Sequence, residues 1–256
     1  MISIQNLTKK FGQVTAVDKL SLEIPKGELF AFLGPNAAGK TTTIKLMAGL
    51  LKPSEGRILV GGHDVSGRDY LKARQLLSYV PDVPYLYEKL TAFEFLYFVA
   101  RLYNFSPRDI EKKAALLLDL FGLSSHRDHL TEDFSHGMRQ RLIMCAALIH
   151  EPQVMLIDEP MVGLDPRSSR LVKDILKAKS KEGMAIFIST HTLPLAEELA
   201  DRIGIIDQSR LIALGTMETL RQQSGVNGHL EEVFLKLTRE VIQINAFSSL
   251  NSQDPA

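Results

Sequence analysis

Two segments of this 256-residue chain carry residue types spaced for work on a phosphorylated substrate. The first is GPNAAGKTT, Gly34 to Thr42, which fits G-x-x-x-x-G-K-[ST]. Such a loop turns backbone N–H groups toward phosphate oxygens, and the helix it opens adds the positive end of its dipole. Gly34, Pro35, Asn36, Ala37, Ala38, Gly39, Lys40, Thr41 and Thr42 are therefore candidate phosphate contacts. Lys40 is spaced to reach the terminal phosphates, and Thr41 to offer its hydroxyl to Mg²⁺. A plain glycine-rich turn is the competing reading, and Lys40-Thr41 with the flanking elements weighs against it. The second segment is Val154 to Glu159, an apolar run ending in two carboxylates. Ligands of parallel α/β sheets bind beyond the carboxyl ends of the strands. Asp158 is thus a candidate Mg²⁺ ligand, and Glu159 the residue to orient or deprotonate an attacking water. Adjacent carboxylates also cap strands in water with no chemistry, but a phosphate loop earlier in the chain favours the chemical reading. Ala185 to Thr190 is another apolar run, and His191 at its end is a candidate contact to a γ-phosphate. A lone histidine after a strand is more often structural.

The elements that must position these residues follow from patterning. Ile2 to Leu7, Ala16 to Ile24 and Leu29 to Leu33 read as strands, with a turn at Pro25-Lys26-Gly27. Gly39 to Leu51 has helical composition, and Arg57 to Val60 and Leu76 to Val80 read as strands. From Thr91 to His150 the chain reads as almost all helix. One helix spans Phe93 to Tyr103, a second opens at Pro107 and stops at Gly122, and a third spans Gly137 to Ile149. The third places Met138, Leu142, Ala146 and Ile149 on one face. Val154 to Ile157, Ala185 to Ser189 and Ile203 to Ile206 then read as strands, with helices at Pro166 to Lys181 and Leu193 to Ala200. The pattern predicts a parallel-sheet α/β core interrupted by a helical insertion.

Composition bounds the function classes. Lys plus Arg and Asp plus Glu both number 30, so the net charge is zero. That gives no bulk attraction to nucleic acid or anionic lipid, and no nucleic-acid partner is expected. The longest charge-free stretch, Gly183 to Ala196, is shorter than the roughly 20 apolar residues of a spanning helix. No apolar h-region precedes Lys9 and Lys10, so no secretory signal is expected. The single cysteine, Cys145, allows no intrachain disulfide and reads as a small buried hydrophobe. These features predict a cytoplasmic protein.

Several ordered segments together resemble the nucleotide-binding subunits of ATP-binding cassette (ABC) transporters. FSHGMRQRL, Phe134 to Leu142, is similar to the family's signature. EPMVGLDP, Glu159 to Pro166, resembles the Walker B strand running into the D-loop, and Ser189 to His191 resembles the switch histidine segment. The resemblance covers Ile2 to about Leu237. It implies a P-loop NTPase parallel-sheet core with an N-terminal antiparallel β subdomain and a helical insertion. Residues 1–240 would form one domain, with core and β subdomain at 1–90 and 151–240, a helical subdomain at 91–150, and a tail at 241–256. It implies ATP and Mg²⁺ as ligands, catalysis by Glu159, His191 and Lys40, and Phe11 under adenine. It also implies a head-to-tail dimer, in which Ser135 and Gly137 meet the nucleotide of the other subunit. As plain capping, Ser135 would serve the helix in either case.

Three positions depart from the family pattern. Ala37 replaces a glycine, and a positive φ there would strain it. His136 replaces the first signature glycine, as in the branch of antibiotic and multidrug exporters. Asp82 stands where the Q-loop glutamine belongs, so its approach to Mg²⁺ and nucleotide would be through a shorter, charged side chain. Nine of the eighteen aromatic residues fall between Tyr79 and Phe105. Most suit the core of the insertion. Pro84, Tyr85, Leu86 and Tyr87, however, lie in a proline-flanked loop and are expected to be exposed and to dock a membrane permease. The resemblance, the FSHGM form and the GHLEEVFLKL segment imply an ATPase that powers export, held at the inner membrane face by its permease. The alternatives are a non-transport ABC ATPase acting on nucleic acid or the ribosome, and a cassette that hydrolyses weakly and regulates.

Overall fold

A computed structural model of the chain describes residues 1–238. The expected tail at 241–256 and the fraying expected over Ser248 to Ala256 lie outside the described residues. In chain order the elements begin with β1 (Ile2–Phe11), β2 (Val14–Ile24), β3 (Leu29–Leu33) and α1 (Lys40–Met47). They continue through β4 (Glu55–Val60), β5 (His63–Asp64), α2 (Tyr70–Leu76) and β6 (Leu77–Val80). Three helices follow: α3 (Ala92–Leu102), α4 (Pro107–Leu120) and α5 (His136–Leu148). Then come β7 (Val154–Asp158), α6 (Pro166–Lys181), β8 (Ala185–Thr190), α7 (Leu193–Leu199), β9 (Arg202–Asp207), β10 (Arg210–Gly215) and α8 (Met217–Ser224). Residues 230–238 are helical.

Two sheets result. One is antiparallel, in the order β2-β1-β4-β5, and the other is six-stranded, in the order β10-β9-β3-β8-β7-β6. In the second, β9, β3, β8, β7 and β6 run parallel, and β10 closes the edge antiparallel to β9. Every residue of β3, β7 and β8 is buried. That is why these segments read as continuous apolar runs: a parallel sheet covered on both faces leaves no side for polar alternation. Alternate residues still sort by face. Val154 and Leu156 of β7 pack with Ile44 and Leu46 of α1 and with the antiparallel sheet. Met155 and Ile157 pack with α3, α4, α5 and α6.

Helix ends follow local signals. Thr91 and Glu94 form a capping box on α3. Ser106 caps α4 and Asp165 caps α6, each followed by proline at the first helical turn. Helix α5 departs from the expected single buried face, because Gln140 and Leu142 through Leu148 are all buried. It runs between α3, α4 and the edge strand β6, so it has neighbours on nearly every side. Cys145 lies within it, with Sγ 3.5 Å from the Leu117 carbonyl, and burial pushes its thiol far up, which keeps it un-ionised.

The sequence pattern predicts neither α2 nor α8, and it misses the hairpin to β10. Its turn residues Gln208 and Ser209 have φ of 45° and 69°, the conformation of a type I′ turn. Gln-Ser gives none of the Asn-Gly signal such turns usually carry. Likewise α2 occupies only seven residues and abuts β6, and Leu76 ends the helix instead of opening the strand.

Candidate active site

The parallel order puts the carboxyl ends of β3, β8, β7 and β6 side by side, and the loops that leave them carry the candidate residues. The phosphate loop joins β3 to α1. Gly34 and Gly39 are required there by close approach: a Cβ on Gly34 would lie 2.3 Å from the Ile206 carbonyl oxygen, and one on Gly39 2.3 Å from that of Ala16. Gly39 also has φ of 110°, which a side chain disfavours. Ala37 takes φ of 65°, so the positive φ that would strain an alanine is present. The β9–β10 turn braces the loop: Ser209 N–H donates to the Ala38 carbonyl at 3.2 Å, and Ser209 Oγ to the Thr15 carbonyl at 2.7 Å.

Lys40 Nζ is folded into its own loop, donating to the carbonyls of Gly34 at 2.8 Å and Pro35 at 3.0 Å. Burial lowers its pKa, and the charges of Glu159 and Asp158 oppose that shift. Asp158 ends β7 in register with Ser189 of β8 and is 2% exposed. Its Oδ2 is buried without a hydrogen-bond partner. Burial raises its pKa, the Ser189 and Thr41 hydroxyls pull it down, and Asp82 and Glu159 add to the rise. An unpartnered buried carboxylate oxygen, on a residue that the Thr41 hydroxyl also influences, fits a hard divalent cation. Asp82 is exposed after β6, and its Oδ1 accepts from the Val83 N–H at 2.9 Å.

Glu159 and His191 come together although 32 residues separate them. His191 Nδ1 lies 2.6 Å from Glu159 Oε1, and the His191 backbone N–H donates to the same oxygen at 3.0 Å. The other oxygen, Oε2, accepts from Thr190 Oγ1 at 2.9 Å. Glu159 itself has φ of 50°. Thr190 falls inside the Ser189 to His191 segment, but the resemblance assigns a role there to the histidine alone.

The remaining candidates lie on other elements, β1 and the start of α5. Phe11, at the end of β1, is 48% exposed, with Lys9 Nζ 4.9 Å from its ring centre. Ser135 caps α5 by accepting from the Met138 N–H at 3.3 Å. His136 and Gly137 meet Gly163 of the segment after β7. A Cβ on Gly163 would fall 1.8 Å from His136 Cδ2, and one on Gly137 would lie 3.1 Å from the Gly163 carbonyl.

One expectation is corrected at the proline-flanked loop. Tyr85 and Tyr87 are exposed, at 78% and 51%, but Leu86 is 5% exposed and belongs to the helical core. The loop is tied down by Thr131, whose hydroxyl donates to the Tyr87 carbonyl at 3.0 Å and whose N–H donates to Leu90 O at 2.9 Å. That turns Leu86 inward while its neighbours face out. Tyr87 packs edge-on against Phe98, with centroids 5.3 Å apart.

A glycine-rich loop between strand and helix, with carboxylates ending an adjacent parallel strand, defines a nucleoside triphosphatase of the P-loop kind. A family model described as ABC transporter matches residues 17–162. The linearmycin resistance ATP-binding protein LnrL of Bacillus subtilis (strain 168) is 38% identical over 253 residues, covering 96% of this chain and 81% of that protein. The daunorubicin/doxorubicin resistance ATP-binding protein DrrA of Streptomyces peucetius is 40% identical over 226 residues, covering 88% and 68%. A solved ATP binding subunit of an ABC transporter superposes with a TM-score of 0.88 at 31% identity, covering 93% of this chain and 99% of that one. The cassette MJ0796, solved as a dimer in a post-hydrolysis state with ADP and Pi, gives a TM-score of 0.78 at 26% identity, covering 85% and 99%. The chain belongs to the ABC transporter family. It is an ATP-binding, ATP-hydrolysing subunit, and among the described residues no helix is long and apolar enough to cross a membrane.

Proposed function

We propose that this chain is the motor of an exporter, hydrolysing ATP at the carboxyl ends of β3, β7 and β8 with Glu159 as the base. The observation that carries the reading is the Glu159 carboxylate held by His191 and Thr190 beside Asp158 and the phosphate loop. In this scheme Gly34 to Thr42 wrap the phosphates, and Lys40 exchanges its two loop carbonyls for phosphate oxygens. Phe11 offers a ring face to adenine. Thr41 and the free oxygen of Asp158 would hold Mg²⁺, with Asp82 as a further carboxylate for it. When bound, the ion neutralises charge between the phosphates. Glu159 takes a proton from the attacking water, and His191 orients Glu159 and contacts the γ-phosphate.

The second copy of the chain supplies Ser135 and Gly137, whose N–H groups open α5 and face the nucleotide across a head-to-tail dimer. The MJ0796 cassette, solved as a dimer with ADP and Pi, supports a dimer as the working unit. Residues 1–240 act as one domain at the inner membrane face. The drug-resistance roles of LnrL and DrrA favour export over action on nucleic acid. Tyr85 and Tyr87, backed by Phe98, form the exposed aromatic patch for a permease, with Leu86 left out of the contact.

Glu159→Gln tests the catalytic part. It keeps ATP binding and loses turnover, and a variant with wild-type turnover sinks the assignment. Pull-down with Tyr85→Ala/Tyr87→Ala tests docking. The variant loses its permease, and undiminished capture contradicts the patch.

A further inference from the structure

We infer that Thr190 is a positioning residue that holds the Glu159 carboxylate in its working orientation. This rests on Glu159 being the base.

Thr190 ends β8 and is fully buried. Its Oγ1 donates to Glu159 Oε2 at 2.9 Å and accepts from the Thr192 N–H at 3.0 Å. The amide occupies one lone pair of the hydroxyl, which directs the hydroxyl proton at the carboxylate. Among the described residues this is the one hydrogen bond Oε2 makes, whereas Oε1 takes two from His191. A carboxylate anchored at one oxygen rotates about that anchor. Anchored at both, its plane is fixed, and so is the direction of the lone pair that receives the proton.

The backbone makes this hold necessary. Glu159 sits at φ of 50°, sparsely populated for a side-chain-bearing residue, and is kept there by its N–H donating to the Ser189 carbonyl at 2.9 Å. The Asp158–Ser189 register of β7 and β8 therefore sets Glu159 beside Thr190. The strand that delivers His191 to one carboxylate oxygen delivers Thr190 to the other.

The test is ATP turnover by the full chain with Mg²⁺-ATP, alongside equilibrium binding of ATP and a thermal melt. Thr190→Val keeps the shape and removes the hydroxyl, and Thr190→Ala is the second probe if valine does not fold. The expected result is a roughly ten- to hundredfold loss in kcat with KM within about twofold, the scale of one lost hydrogen bond to a charged group. Thr190→Ser restores the rate. In a Glu159→Gln background, Thr190→Val lowers the residual rate no further, because the base whose lone pair it directs is gone. Full kcat in Thr190→Val overturns the inference. So does a loss carried by KM, or an equal loss in the Glu159→Gln background. Wild-type turnover in Glu159→Gln alone overturns the base assignment instead, a separate result.

Discussion

Acid should loosen the helices from the sheet, and His150 sets how much. The residue follows α5 and is 9% exposed. Its ring stacks on Tyr103, with centroids 3.7 Å apart and planes within 11°. Nε2 donates to the Leu77 carbonyl at 3.3 Å, at the start of the edge strand, while Nδ1 is buried without a partner. Burial lowers the pKa from 6.5 to about 4, with the Leu77 carbonyl opposing the shift. Below pH 6.5 the unfolded chain therefore takes up a proton that the folded chain refuses until about pH 4. Stability is full above 6.5 and is lost as pH falls across that window. At 1.36 kcal/mol per pKa unit the whole loss is about 3 kcal/mol, of which about 2 kcal/mol has gone by pH 5. His150→Phe keeps the stack and removes the titration. At pH 7 it costs about 1 kcal/mol, because the Leu77 carbonyl loses its donor. The assay is urea unfolding of both proteins at pH 7 and pH 5. Carboxylates titrate equally in both, so wild type should lose about 2 kcal/mol more than the variant between the two pH values. Equal losses would refute the reasoning.

Two further substitutions probe the loops. Ala37→Gly removes a left-handed alanine and is expected to leave stability unchanged or raise it by up to about 1 kcal/mol, whereas Ala37→Val lowers it; thermal melts check both. Gly163→Ala drives a methyl into the His136 ring and also strains a φ of 76°. Its cost in melting temperature should shrink in a His136→Gly background, leaving the backbone strain of about 1 kcal/mol. Equal cost in both backgrounds would mean that His136 does not constrain Gly163.

What could be read from sequence was local in spacing. Gly34 to Thr42 must be contiguous to wrap phosphates, and Asp158-Glu159 must end an apolar strand, so both sites and the parallel core around them were legible. The helix starts at Pro107 and Pro166 likewise rest on neighbouring residues alone. What stayed hidden depends on packing at long range. Thr190 meets Glu159 only because β7 and β8 pair in one register. Leu86 turns inward because Thr131, far along the chain, ties its loop down. Gln208-Ser209 adopts a hairpin turn without the residues that announce one, and the tertiary contacts of Ser209 hold it. The apolar positions of α5 gave one face, but three neighbouring elements bury the rest.

The central claim is a composite site in which Glu159 acts on ATP held between two copies of the chain. Sedimentation of Glu159→Gln with and without Mg²⁺-ATP, with bound nucleotide counted in the same fractions, tests it most directly. The account predicts a monomer without nucleotide and, with it, a lasting dimer that holds two uncleaved ATP molecules. A monomer that carries bound ATP, or a dimer that releases phosphate at the wild-type rate, would contradict it.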